Sequence, residues 1–204
     1  MALAIAKSPK TKIGFSRFIS DALPLPPKIA GGICIAIAIA IAMHEETQGK
    51  WEGKATAELK GPTADQVWPF FEDFCNLQKW LPGVDTCYQV EGEPGKPGLV
   101  RYCSSSTISS DRSHEETQVK WVKEKLVMID RIERCLSYEI LENNVGFKSY
   151  VATIKVLPVN DGCKIEWSYV ADPIEGWPVE DFNSYISSSL QFMGQKMEQA
   201  ALSG

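Results

Sequence analysis

Beyond Pro178, apolar side chains recur every three or four residues almost to the end of the chain. The series consists of Val179, Phe182, Ile186, Leu190, Met193, Met197 and Ala201. Because an α-helix completes a turn in 3.6 residues, these side chains lie along one stripe of its surface. The pattern predicts one long amphipathic helix that packs a single face against the rest of the protein.

Upstream of this helix, the chain alternates between apolar and polar residues in several short stretches. From Trp51 to Leu59, small or apolar residues occupy the odd positions and polar ones the even positions, as in a half-buried strand. Further strands are predicted at 85–90, 98–105, 118–131, 136–141, 147–156 and 162–171. Residues 104–113 are rich in serine and are interpreted as a turn region. The short connections predict a largely antiparallel sheet.

Two short helices are predicted between the first strand and the second. Thr63 and Gln66 have the spacing of a capping box, and apolar residues follow at helical intervals. A second helix is predicted at 76–81, ending before Pro82 and Gly83. The order of strand, two helices, about six strands and one long helix predicts an α+β domain over residues 50–204. A curved sheet wrapped around the long helix would leave a pocket for an apolar ligand.

Residues 1–49 form a tail of different character. Residues 1–43 carry five basic side chains and one acidic one, a net charge of +4. Residues 29–43 are fifteen uncharged residues, which as a helix would reach about 22 Å, short of the roughly 30 Å hydrocarbon core of a bilayer.

Four interpretations of this tail remain open. The first is a basic, hydroxyl-rich transit peptide to an organelle such as a plastid, and the second is a marginal membrane anchor through residues 29–43. The third is a signal sequence, and the fourth is an upstream extension with Met43 as the start. A chain that lacks residues 1–42 is expected to be cytoplasmic.

Composition excludes several classes of function. The residues after Met43 carry 16 basic and 25 acidic side chains, a net charge of −9. Proteins that bind nucleic acid present a basic face, so we expect no nucleic-acid partner. The only histidines are His44 and His114, and no two of the six cysteines have the spacing of a zinc pair, so no metal site is expected.

A set of short motifs, in order, covers nearly all of residues 50–204. They are Lys50-Trp51-x-Gly53-Lys54, Asp73-Phe74-x-Asn76-Leu77-x-Lys79, Val90-Glu91-Gly92-Glu93, Val100-Arg101-Tyr102, Lys123-Glu124-Lys125-Leu126-Val127, Tyr150-x-Ala152-Thr153, Trp167-Ser168, Ile174-Glu175-Gly176 and Gly194-Gln195-Lys196. Together with the element order, they resemble the helix-grip fold of the START and Bet v 1 superfamily. The closer resemblance is to plant polyketide cyclase/dehydrase and lipid transport proteins, and among these to the lachrymatory-factor synthases.

The resemblance implies a function and a set of site residues. Lachrymatory-factor synthases convert an alkenyl sulfenic acid into a thial S-oxide without a cofactor. Their arginine and glutamate correspond to Arg101 and Glu124, which would be the catalytic pair. Their pocket aromatic residues correspond to Tyr138, Tyr150 and Trp167. The chain departs from the synthases in the longer Ser-rich segment 104–118 and in the three serines at 187–189 of the last helix.

The residues themselves support a charged pair near the interior. Glu124 shares a strand face with Val122, Leu126 and Met128, and an acid in such an apolar row is costly unless it is paired. Arg101 shares a face with Leu99 and Cys103 on the preceding strand. This pattern predicts either an ion pair that faces a cavity, with Val122 and Leu126 in its wall, or a salt bridge in the core.

Two functions therefore remain open from the sequence. One is a cofactor-free isomerase that uses Glu124 to move a proton and Arg101 to hold the oxygen as negative charge develops. The other is a non-catalytic carrier or sensor for a small apolar molecule. A hormone receptor is a third option, although the sequence lacks the gate and latch loops of the abscisic-acid receptors in this superfamily.

Overall fold

The computed structural model describes residues 49–111 and 114–203. For residues 108–111 and 114–116 it describes the backbone alone. The predictions for the tail before residue 49 therefore lie outside the described residues. The described residues contain seven strands. They are β1 (Trp51–Lys60), β2 (Thr86–Glu91), β3 (Val100–Asp111), β4 (His114–Asp130), β5 (Cys135–Asn143), β6 (Tyr150–Val159) and β7 (Gly162–Ala171).

In the same part of the chain, two helices and one 3₁₀ helix accompany the strands. The helix α1 (Ala64–Glu72) begins with the predicted capping box, in which the Thr63 side chain accepts from the Gln66 backbone and the Gln66 side chain accepts from the Thr63 backbone. The predicted second helix is a 3₁₀ helix, Phe74–Lys79. The helix α2 (Val179–Ser203) is the long amphipathic helix. Among the described residues, none of the helices is long and apolar enough to cross a bilayer.

The strands form one curved antiparallel sheet in the order β1-β7-β6-β5-β4-β3-β2. The long helix packs across one face of this sheet, and five of the seven residues in its predicted stripe are buried there. Gly194 marks the closest approach, because a Cβ at this position would lie 3.2 Å from Ala57 Cβ and 3.3 Å from Leu59 Cδ1. The predicted helix-grip architecture is confirmed.

Most of the Ser-rich segment 104–113 is strand. Residues Ser104 to Asp111 continue β3 and pair in register with His114 to Trp121 of β4. Serine competes for backbone hydrogen bonds and therefore resembles loop sequence. Here the facing strand supplies those bonds, and the prediction of a long loop between the two strands was wrong.

A β-bulge changes which residues of β4 face the interior. Leu126 pairs with Tyr138 of β5, whereas Met128 pairs with Ser137, so Val127 is the extra residue. One inserted residue reverses the alternation of the strand. Met128 is consequently 37 % exposed, while Ile129 packs against the core. The prediction that Met128 shares the inner face with Glu124 was wrong for this reason.

The helix α2 offers a matched pair of substitutions to test the core. Met193 is 1 % exposed and Phe192 is 41 % exposed. We expect Met193→Ala to lower the free energy of unfolding by about 2–4 kcal/mol, because it removes buried methylene groups and leaves a cavity. Phe192→Ala should cost less than about 1 kcal/mol. Urea denaturation measures both, and equal losses would contradict the position of the helix.

Candidate functional site

Arg101 and Glu124 form an ion pair inside the domain. They are opposite each other in the β3–β4 ladder, and Arg101 Nε donates to Glu124 Oε2 at 2.7 Å. The two residues are only 5 % and 7 % exposed. A buried pair of this kind is held by its geometry, since removal of either partner leaves an uncompensated charge away from water.

Arg101 is also fixed by groups other than Glu124. Its Nη1 donates to the Phe74 carbonyl at 2.6 Å, and its guanidinium carbon lies 3.8 Å from the centre of the Phe74 ring. Burial alone would lower the pKa of Arg101, but the Glu124 carboxylate raises that pKa above its ordinary value. The guanidinium therefore remains charged and anchors the 3₁₀ helix to the sheet.

An apolar cavity of about 130 Å³ lies between the inner face of the sheet and α2. Its wall includes strand residues, residues around the 3₁₀ helix, the segment 174–177 and the first turns of α2. The lining residues are Leu77, Leu81, Gly83, Val84, Cys103, Ser104, Ser105, Lys120, Trp121, Val122, Glu124, Ile140, Val145, Phe147, Tyr150, Trp167, Ile174, Trp177, Phe182, Tyr185 and Ile186.

Two charged side chains belong to this wall, and both come from β4. Glu124 is buried, whereas Lys120 is partly exposed and burial lowers its pKa. The two positions are four residues apart along the strand, a distance of about 13 Å. Arg101 donates to Oε2 of Glu124. The other oxygen, Oε1, receives no hydrogen bond from the described residues. The carboxylate thus has an acceptor available at the cavity.

Buried hydroxyl and indole groups surround Glu124. Burial raises the pKa of Tyr138 and Tyr150 above the ordinary value and that of Tyr185 to about 12, and in each case the charge of Glu124 adds to the increase. All three tyrosines therefore stay protonated at neutral pH. Trp167 lies close enough to Tyr150 to lower the pKa of its hydroxyl. The buried indole N–H of Trp167 nevertheless has no acceptor in hydrogen-bond geometry among the described residues.

The structure brings most of the predicted site residues to one region. Val122, Glu124, Tyr150 and Trp167 line the larger cavity. Arg101 and Tyr138 line a smaller cavity of about 20 Å³, which shares Leu77 and Trp167 with the larger one. Leu126 is fully buried and lies in the wall of neither of these two cavities.

Several lining residues were not predicted from the sequence. Tyr185 and Trp177 enter the cavity from the start of α2 and the segment before it, and Leu77 and Leu81 enter from the region of the 3₁₀ helix. Tyr185 directly precedes Ile186 of the apolar stripe, and this position in the sequence was the signal from which its place in the cavity wall could have been predicted. The residues of the loops carry no periodic signal, because their orientation depends on the tertiary packing.

The fold and this cavity define a class of protein. A seven-stranded antiparallel sheet that grips a C-terminal helix around an apolar cavity is the Bet v 1-like helix-grip arrangement. Residues 50–201 match the family model described as polyketide cyclase / dehydrase and lipid transport. The chain belongs to this family.

Solved structures support the same fold. Major latex-like protein 151 from Panax ginseng is similar, with a TM-score of 0.59 and 20% identity over 75% of this chain and 98% of that protein. XoxI from Bacillus cereus has a TM-score of 0.54 and 20% identity over 76% of this chain and 96% of that protein. A Thermobifida fusca protein has a TM-score of 0.55 and 21% identity, covering 74% and 92% respectively.

The buried ion pair can be tested by breaking it. We expect Arg101→Met to lower the free energy of unfolding by about 3–5 kcal/mol, because Glu124 is left without its partner. In the double variant Arg101→Met/Glu124→Leu the loss should be smaller, since no unpaired charge remains. Lys123→Met removes the exposed Lys123–Glu142 pair and should cost less than about 1 kcal/mol. Urea denaturation of the three variants measures these differences.

Proposed function

We propose that this protein binds a small, mainly apolar molecule in the larger cavity, with the polar end of the ligand at Glu124. One observation carries the proposal: a buried carboxylate stands in a mainly apolar wall, with one oxygen held by Arg101 and the other available. An available acceptor in a water-poor site favours a ligand that carries a hydrogen-bond donor.

The neighbouring groups add to the definition of the ligand. The unpartnered indole N–H of Trp167, in the same wall, offers a donor. A hydroxyl or a protonated oxygen acid can donate to Glu124 and accept from Trp167 at the same time. Apart from Lys120, Ser104 and Ser105, the remaining wall is aliphatic and aromatic, so the rest of the ligand is mainly apolar.

The volume of the cavity limits the size of the ligand. About 130 Å³ is close to the roughly 150 Å³ of an engineered protein cavity that holds benzene. A benzene-sized molecule with one hydroxyl group is therefore a suitable first probe, and p-cresol and toluene differ only in that group.

The binding proposal predicts a specific order of affinities. We expect p-cresol to bind at least tenfold more tightly than toluene, because a hydrogen bond to a charged group contributes about 1.5–3 kcal/mol. Val122→Phe should abolish binding of both probes by filling the cavity. Isothermal titration calorimetry measures the affinities.

Val151→Phe is the matched control for this experiment. Val151 is 42 % exposed and does not line the cavity, so the same enlargement there should leave both affinities unchanged. Binding of p-cresol to Val122→Phe with undiminished affinity would place the ligand elsewhere and overturn the proposal.

A second function is favoured by the unoccupied Oε1 of Glu124. We propose that the cavity also isomerises an alkenyl sulfenic acid to a thial S-oxide, as the lachrymatory-factor synthases do. The carboxylate removes the proton from the sulfenic acid oxygen and returns a proton to the alkenyl carbon. Arg101 stands behind Glu124, so its charge acts through the carboxylate that it holds.

The isomerase proposal is tested with an alkenyl sulfenic acid generated in situ. We expect Glu124→Gln to lower thial S-oxide formation at least 100-fold, since an amide cannot shuttle the proton, while toluene binding is retained. Glu142→Gln, at an exposed carboxylate, should keep full activity. Mass spectrometry of the product measures the rate. Absence of product with the unaltered protein would overturn the isomerase and leave the binding function, that of a carrier, in place.

A further inference from the structure

Two cysteines face each other across the edge of the sheet. Cys87 of β2 and Cys103 of β3 are direct partners in the ladder, and their sulfur atoms are 3.2 Å apart. Both side chains are buried. The ligand-binding proposal makes no use of this contact.

The backbone already has the geometry that a disulfide requires. Directly opposite residues in an antiparallel pair have Cα atoms about 4.5–5.5 Å apart, within the roughly 4.4–6.8 Å range of disulfides. The sulfur atoms need to approach from 3.2 Å to about 2.0 Å, which side-chain rotation can provide.

The surroundings of the pair favour a reactive thiolate. The hydrogen bond from the Cys103 thiol, together with the nearby Arg101, lowers the pKa of Cys87 to about 7, against the effect of burial. By contrast, burial raises the pKa of Cys75 and of Cys163 to about 11. At neutral pH, the thiolate therefore forms at the Cys87–Cys103 pair rather than at these two thiols.

The pair also borders the cavity. Cys103 belongs to the cavity wall, so a small oxidant that enters the cavity comes next to the pair. Cys103 is in direct contact with Cys87 and is placed to resolve an oxidised Cys87.

We propose that Cys87 and Cys103 are a redox-active dithiol that a small hydroperoxide converts into a reversible disulfide. The Cys103 thiol keeps its proton, and the Cys87 thiolate attacks the peroxide oxygen. The O–O bond breaks, and the alkoxide takes up the proton that Cys87 released and leaves as an alcohol. The Cys103 sulfur then displaces hydroxyl from the Cys87 sulfenic acid, and the Cys103 proton converts this hydroxyl into water. In total, one hydroperoxide gains two electrons and two thiols lose them in forming the S–S bond.

The cross-link affects part of the cavity wall. The strand β2 is a short edge strand, and Gly83 and Val84 of the cavity wall lie just before it. A disulfide fastens β2 to β3 and restricts movement of this part of the wall. Oxidation is therefore expected to slow ligand exchange, a consequence that rests on the proposed binding function.

The disulfide is tested with hydrogen peroxide on the full chain, followed by tryptic mapping without reductant. Trypsin cleaves after Arg101, so the two cysteines fall in separate peptides, 80–101 and 102–112. We expect these peptides to appear cross-linked, and to separate after dithiothreitol. The rate of cross-linking should rise between about pH 6 and pH 8 as Cys87 loses its proton.

Single substitutions provide the controls. Cys87→Ser and Cys103→Ser should each abolish the cross-linked peptide, while Cys135→Ser, at a buried cysteine in β5, should retain it. Oxidation that links Cys75 instead, or that yields only separate sulfinic acids, would overturn the proposal.

A last measurement separates the redox site from the binding function. Cross-linking requires no ligand, so it should occur even if p-cresol fails to bind. If p-cresol binds, its dissociation from the oxidised protein should be at least tenfold slower than from the reduced protein. An unchanged dissociation rate in fully cross-linked protein would overturn the effect on the cavity wall and leave the disulfide itself standing.

Discussion

The ion pair between Arg101 and Glu124 organises both the interior and the chemistry of this domain. A lone carboxylate at this depth would be expelled to water or neutralised, and a lone guanidinium would be equally unfavourable. Together they fix the register of β3 against β4 and tie the 3₁₀ helix to the sheet through the Phe74 carbonyl. The pair therefore permits one charged oxygen to remain at an otherwise apolar cavity.

The cavity exists because the two sides of the core come from elements with different curvature. The cavity of about 130 Å³ lies near Phe182 and Tyr185, whereas only the cavity of about 20 Å³ lies beside Met193 and Met197. The proposed ligand site is thus confined to one part of the domain. The rest of the interface, with Gly194 against β1, supplies close packing.

Periodicity in the sequence was sufficient for most of the fold. The stripe of α2, the alternation of β1 and the capping box of α1 each appear in the structure, because each depends on residues close in the chain. The Ser-rich hairpin and the exposed Met128 were missed, since they depend on a partner strand and on a bulge. The same holds for the candidate site. Glu124 could be predicted from its apolar row in the sequence. The positions of Tyr185 and Trp177 and the contact between Cys87 and Cys103 depend on the tertiary arrangement and could not be predicted.

The bulge at Val127 has a consequence for how such domains diversify. An extra residue in a strand increases its local twist and bend, and here it lies just beyond the stretch of β4 that lines the cavity. The position of that residue along β4 therefore influences how deeply the sheet closes over the helix. Moving this single insertion along the part of β4 beyond Glu124 would alter the depth of the cavity while the residues of β4 that line it keep their orientation.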